Sequence, residues 1–136
     1  MKGATQIEGD FFNKIKPHLQ GFIDGSVYRE GVRPPIKDVT KTKEDAVVTF
    51  KAGLDSQFQM GEVIVNVYVN DISFNGNLIK NIARCGQIEQ KLLELSKELT
   101  DGEYLISLIN IPEAFPEEVI QQHYVNARFR FKRITI

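Results

Sequence analysis

The segment from Gly61 to Asn70 constrains the fold more than any other part of the chain. It reads GEVIVNVYVN, in which four valines, at 63, 65, 67 and 69, alternate with polar or larger residues. Successive side chains of a β-strand point to opposite faces of a sheet, so this period of two predicts a strand with one buried face and one partly wetted face. Such a strand needs neighbouring strands to bury its valines, and the chain must therefore contain a sheet.

Four further runs are rich in β-branched and aromatic residues and predict more strands. They cover residues 27–29, 46–51, 104–109 and 124–136. Gly53, Asp55, Ser56 and Gln57 have the composition of a hairpin connection between the second of these runs and the valine strand. The prolines at 112 and 116 predict a turn before the last strand.

Helical spacing of apolar residues appears in two places. After a turn at Asn75-Gly76-Asn77, apolar residues recur at intervals of three and four from Leu78 to Leu99, which predicts a long amphipathic helix ended by Asp101 and Gly102. Near the N-terminus, Asp10 is a plausible N-cap for a short helix that carries Phe11, Phe12, Ile15 and Leu19 and is interrupted by Pro17.

These elements predict one α+β domain over residues 1–136, in the order αβββαββ. A mainly antiparallel sheet is expected, covered on one face by the long amphipathic helix and the short N-terminal helix. Residues 30–45 contain adjacent prolines, lysines and threonines without any apolar period, so we expect a long exposed loop that is either a contact arm or a tolerated insertion.

Composition limits the classes of partner and compartment. The 136 residues include 17 Lys and Arg against 18 Asp and Glu, which does not fit a protein that grips nucleic acid by phosphate neutralisation alone. The single cysteine predicts a reducing environment. Neither a signal peptide nor a membrane-spanning run is present in the sequence, so we expect a soluble intracellular protein.

The sequence contains no recognisable catalytic motif. Cys85 lies in the apolar stripe of a predicted helix, His18 and His123 lack metal-ligand spacing, and no glycine-rich phosphate loop occurs. We therefore expect no catalytic, metal or cofactor site. A small enzyme remains an open alternative, with a site built from scattered polar residues such as Tyr28, Asp71, His123 and Tyr124.

Protein–protein contact residues are expected in three places: the long loop, the tip of the predicted hairpin and one face of the last strand. In that strand Arg128, Arg130 and Lys132 alternate with Ala127, Phe129 and Phe131, so one face is a basic ladder. The ladder could meet nucleic acid phosphate, bind an acidic partner surface or protect an edge strand from self-pairing. The candidate interface residues are Arg33, Asp55, Gln57, Gln59, Arg128, Arg130 and Lys132.

Three short stretches carry a resemblance to a known family. GSVY at 25–28 precedes the proline-rich loop, EDAVV follows at 44–48, and GEVIVNVYVND covers 61–71. In these stretches and in its order of elements the chain resembles prophage-encoded tail-completion proteins, and in particular the tail terminators of long-tailed phages.

The resemblance implies a structural virion protein that is not an enzyme and that self-associates into a ring, with a hexamer as one candidate. Such a ring caps the tail tube and joins it to head-completion proteins. DNA would contact the ring only by passing through it. The expected locations are the bacterial host cytoplasm during assembly and then the virion, with no membrane. Another phage neck or head-closure component, or a generic protein-interaction module, stays open as an alternative.

Overall fold

The computed structural model describes residues 1–54 and 58–134 of the chain. Its helices and strands are α1 (Ala4–Leu19), β1 (Val27–Arg29), β2 (Ala46–Leu54), β3 (Phe58–Asn70), β4 (Ile72–Phe74), β5 (Asn77–Ile79), α2 (Ile82–Leu95), β6 (Tyr104–Leu108), β7 (Glu113–Glu117) and β8 (Gln122–Ile134). Neither helix within these described ranges is long and apolar enough to cross a membrane.

The larger sheet has the strand order β1-β2-β3-β8-β6, and β7 pairs with β8 as well. Only the β1–β2 pair is parallel among the described strands of this sheet. The predicted α+β class with a mainly antiparallel sheet is therefore confirmed. Because β8 pairs with β3 on one side and with β6 and β7 on the other, it is an interior strand. The interpretation of its basic ladder as protection of an exposed edge is wrong.

Both helices cover the same face of this sheet. The four alternating valines of β3 are buried, as the period of two predicts, and they pack in one core with Ala127, Phe129 and Phe131 of β8. On the helices the core residues are Ile7, Phe11, Ile15 and Leu19 of α1 and Cys85, Ile88, Leu92 and Leu95 of α2. The opposite face of the larger sheet, called the open face below, has no helix against it among the described residues.

Helix α1 starts earlier than the sequence predicts. Its N-cap is Gly3, and Asp10 lies inside the helix, so the prediction that Asp10 caps it is wrong. The Asp10 carboxylate instead accepts a hydrogen bond from the Tyr104 hydroxyl at 2.6 Å and one from Lys2 at 2.7 Å. Pro17 falls in the last turn and does not break the helix, which at 16 residues is longer than the 14 residues of α2.

Helix α2 is shorter than the predicted Leu78–Leu99 stripe. Leu78 belongs to β5, and Leu99 is buried in the core beyond the end of the helix. Asn81 starts the helix, because its side-chain oxygen accepts a hydrogen bond from the Arg84 amide at 3.1 Å. The stretch before Asn81 is a two-stranded hairpin that the sequence analysis missed.

The region expected to be only a turn at 112–116 also differs from the prediction. Residues Glu113–Glu117 form β7, with Pro116 opposite His123 of β8. A proline is tolerated there because β7 lies at the rim of the sheet, where one side of the strand needs no ladder hydrogen bonds. The 30–45 loop is mostly exposed, as predicted, and contains one short 3₁₀ turn at Val39–Lys41.

Candidate functional site

The most prominent surface feature is the hairpin made of β4 and β5, called the 72–79 hairpin below. All of its residues are exposed. They include four large apolar side chains, among which Phe74 keeps 60% and Leu78 keeps 51% of its surface in contact with solvent. The hairpin sequence ISFNGNLI contains no charged residue. By the strand register, Ile72, Phe74 and Ile79 share one face of the hairpin, and Leu78 lies on the other. Clustered exposed apolar side chains mark an interaction site more often than scattered ones do.

Local sequence explains why this hairpin forms. Asn75 and Gly76 both have positive φ angles, 50° and 79°, which is the backbone of a type I′ turn. Such a turn matches the twist of two antiparallel strands, and it places Ile72 opposite Ile79. The signal for it was present in the sequence, because Asn-Gly flanked by apolar residues is the strongest short-range mark of a hairpin.

The base of the 72–79 hairpin is held by contacts to β8. The Asp71 amide donates to the Gln121 carbonyl at 3.0 Å, and the Asp71 carboxylate lies 2.6 Å from Nδ1 of His123. On the other side, Arg84 at the start of α2 binds the Glu44 carboxylate at 2.6 Å and donates to the Phe22 carbonyl at 2.6 Å. The start of the hairpin is therefore tied to the sheet at Asp71, and the helix that follows the hairpin is tied to Glu44 and Phe22.

The open face carries the basic ladder of β8. Arg128 lies 3.1 Å from the Glu62 carboxylate on β3, and Lys51 lies 3.6 Å from the same carboxylate. The hydrogen bond from Arg128 lowers the pKa of Glu62 from its ordinary value. Arg130 is exposed on the same face, and Lys132 is partly buried there. The three ladder residues therefore share one face, as predicted.

Arg33 anchors the 30–45 loop to the far end of the open face. Its guanidinium stacks 4.0 Å from the centre of the Tyr68 ring. It also binds the Asp45 carboxylate at 3.0 Å and donates to the side chain of Gln122 at 2.9 Å. The buried Gln122 amide in turn donates to the Lys43 carbonyl. The Arg33 side chain is thus engaged within the chain, and its expected role at an interface stays a prediction.

Of the three residues predicted at the tip of the β2–β3 hairpin, only Gln59 lies among the described residues. Gln59 is buried in β3, where its side chain binds the backbone of Lys2 at 3.1 and 2.7 Å and Arg133 at 3.1 Å. It holds the N-terminus against the sheet. Asp55 and Gln57 lie outside the described residues. None of the predicted interface residues belongs to the exposed apolar hairpin at 72–79.

The scattered residues of the alternative enzyme site are divided between the two faces of the sheet. Asp71 and His123 are in contact, and His123 is opposite the buried Val69, on the helix side. Tyr124 pairs with Tyr68 on the open face, and Tyr28 also points away from the helices by its register with Val47. These four side chains therefore do not converge on one pocket.

Among the described residues, no group of three or more histidine, cysteine or acidic side chains could hold a metal ion. Cys85 is buried, and burial raises the pKa of its thiol. In comparisons with known proteins, no family model matches the chain, and no curated protein matches it.

Proposed function

We propose that this chain is a structural assembly protein whose copies join into a ring through the 72–79 hairpin. The ring would work as the resemblance implies: it would cap a phage tail tube and join it to head-completion proteins. The observation that carries the proposal is the exposed and uncharged hairpin, whose start is tied to the sheet by Asp71.

A two-stranded hairpin that packs against nothing is at best marginally stable in water. Its four apolar side chains gain about 25 cal/mol for each Å² of apolar surface that a partner covers. A partner surface that covers these side chains would therefore stabilise the hairpin, and the same burial would contribute to binding the partner. The contacts of Asp71 support this interpretation, since they tie the start of the hairpin to the sheet before any partner arrives. A contact element that is ordered in advance costs less entropy on association.

The open face is the second surface in the proposal. A hairpin that meets an unlike surface on the next copy makes a heterologous contact, and repeated heterologous contacts close into a ring when the rotation between copies allows it. The ring would leave the exposed Arg130 on this face for contacts with other proteins. Positive side chains on such a face would favour an acidic surface on the tail tube or on a head-completion protein.

The test is electron microscopy of the purified protein over a concentration series, with and without isolated tail tubes. Uniform rings, or tube ends capped at a uniform diameter, are expected for the wild-type chain. The matched control is Leu78→Ser, which removes an exposed apolar group and leaves the core intact. Rings that never bind tube ends would favour another head-closure component. Particles that remain monomeric and never bind tube ends would contradict the proposal.

A further inference from the structure

We infer that a groove on the open face binds an acidic segment of a partner protein, in which an apolar side chain stands beside a carboxylate. The inference rests on the proposed function, and it names the chemistry that the open face recognises. This groove, called the open-face groove below, has a volume of about 570 Å³ and lies where β2, β3 and β8 run side by side. Its lining combines three cationic side chains and one carboxylate with Met60 and two glycines.

Positive charge in the open-face groove is only partly compensated within the chain. The Glu62 carboxylate lies 3.1 Å from the Arg128 guanidinium and 3.6 Å from the Lys51 amine. Arg130 is directly opposite Glu62 in the register of β3 and β8, and its exposed side chain makes no ion pair with any other described residue. One carboxylate therefore serves three cations, and Arg130 is left to bind a carboxylate from outside the chain.

Apolar surface adjoins these charges. Met60 lies on the open face beside the paired backbones of Gly53 and Gly61, and its side chain is partly exposed. Leu105 of β6 lies on the same face, with Lys132 of β8 between it and Met60. Leu105 keeps 63% of its surface exposed. An apolar side chain of the partner could therefore leave water here while a neighbouring carboxylate binds Arg130.

The 72–79 hairpin cannot supply this carboxylate, because it contains no charged residue. Its apolar side chains would remove the cations of the groove from water without pairing them, which is costly. The open-face groove is therefore not the receptor for the hairpin. We assign it to a different protein chain.

Nucleic acid fits the open-face groove less well than an acidic protein segment does. Single-stranded nucleic acid is usually held by aromatic rings that stack on bases and by a positively charged path for the phosphates. No aromatic residue is among the described residues that line the groove, and Glu62 lies among its cations. Tyr68 and Tyr124 are paired nearer the other end of the face, where Arg33 already covers the Tyr68 ring.

Calorimetric titration with three synthetic peptides tests this chemistry. The first peptide has one leucine between two glutamates in a Gly-Ser background. The second has glutamines in place of the glutamates, and the third has serine in place of the leucine. The first is expected to bind wild-type protein at least about fivefold more tightly than either of the others, because it alone offers both a carboxylate and an apolar group.

Three variants locate the site. Arg130→Gln removes the charge without placing a carboxylate opposite Glu62, and Leu105→Ser removes an exposed apolar group. Each should weaken binding of the first peptide by about fivefold. The matched control is Lys97→Gln, which removes the charge of an exposed lysine just after α2 and should bind the peptide as wild type does.

Four results would overturn the inference. The serine peptide could bind as tightly as the first, or an oligothymidylate of equal charge could do so, which would assign the groove to charge alone or to nucleic acid. Binding that Arg130→Gln leaves unchanged would place the peptide elsewhere. Binding that weakens as the protein assembles would show that a second copy covers the groove.

The same titration separates this inference from the proposed function. If wild-type protein forms rings but binds none of the peptides, the open-face groove has been assigned the wrong partner and ring assembly stands. If the first peptide binds as expected but the protein never assembles, the proposed function fails and the chemistry of the groove stands.

Discussion

Asp71 and His123, which are 52 residues apart in the chain, are joined by a contact of 2.6 Å between Oδ1 and Nδ1. Both side chains are largely buried, with 10% and 17% of their surfaces exposed. The contact connects the residue before β4 to the second residue of β8. It therefore fixes the 72–79 hairpin to an interior strand of the sheet.

Replacing Asp71 with Ala should loosen the base of the hairpin. We expect the free energy of unfolding to fall by about 1–3 kcal/mol, the usual cost of leaving a buried hydrogen-bonding group without its partner. Hydrogen exchange should increase most at the amides of residues 72–79. The double variant Asp71→Ala/His123→Ala is the control: if the two single effects simply add in chemical denaturation, the contact does not contribute and the prediction is wrong.

Two leucines that the sequence places on one helical stripe should respond differently to truncation. Leu92→Ala should lower the free energy of unfolding by about 2–5 kcal/mol, because Leu92 is buried in the core. Leu78→Ala should change it by less than about 0.5 kcal/mol, because Leu78 lies on the exposed hairpin. Urea unfolding measures both values. Equal losses would show that Leu78 is in the core and that the hairpin does not project.

The core of the domain was predictable because it follows local periods. The alternation at 63–69 and at 127–131 identifies buried strand faces directly, and the spacing from Cys85 to Leu95 identifies α2. The start of α2 was not predictable in this way. Leu78 lies four residues before Ile82, so the helical spacing of apolar residues continues into the hairpin. The Asn75-Gly76 turn forms a hairpin and the Asn81 cap starts the helix after it, although the apolar spacing runs through both. Both features act through backbone geometry.

Charge reversal at two neighbouring ladder residues should separate folding from assembly. Arg130→Glu changes an exposed side chain but places a second carboxylate directly opposite Glu62, so it should lower the free energy of unfolding by up to about 1 kcal/mol. Arg128→Glu should be the more destabilising of the two, because it also removes the guanidinium that is hydrogen-bonded to the Glu62 carboxylate. We expect both to weaken binding to tail tubes in a pelleting assay. Unchanged binding by Arg130→Glu would exclude an interface role for the ladder.

The loop and interface predictions depended on contacts that no local pattern contains. Arg33 reaches Gln122 across 89 residues, and Gln59 reaches Lys2 across 57. Sequence spacing gives no information about such pairs, so two polar residues that looked like surface contacts are anchors within the chain. The basic ladder was placed on the correct face, but its position in the interior of the sheet depends on strand order, which periodicity does not specify.

The Asp10 carboxylate should make the free energy of unfolding depend on pH in the acid range. Burial acts to raise the pKa of Asp10, but hydrogen bonds from Lys2 and Tyr104 outweigh it, and the pKa is lowered from 3.8. A group with a lowered pKa in the folded state stabilises the protein above its unfolded pKa, and this contribution is lost as the pH falls through the folded value. Wild type should therefore exceed Asp10→Asn in unfolding free energy above pH 3.8, with the difference shrinking below it.

Tyr104→Phe is the matched variant for this site, because it keeps the ring and removes only the hydroxyl that donates to Asp10. Tyr104→Phe should lower the free energy of unfolding by about 1.5–3 kcal/mol near neutral pH, as expected for the loss of a hydrogen bond to a charged group. Denaturant unfolding over a pH series measures both variants. A gap between wild type and Asp10→Asn that stays constant below pH 3.8 would contradict the role given to Asp10.

Sedimentation velocity of the wild-type chain and of the double variant Phe74→Ser/Leu78→Ser tests most directly whether the 72–79 hairpin joins copies of this protein. Wild type is expected to form one closed species, larger than the monomer, whose fraction rises with concentration. The double variant should stay monomeric at every concentration while unfolding at the same temperature as wild type. Identical sedimentation profiles for the two proteins would contradict the claim that the 72–79 hairpin joins copies of this protein.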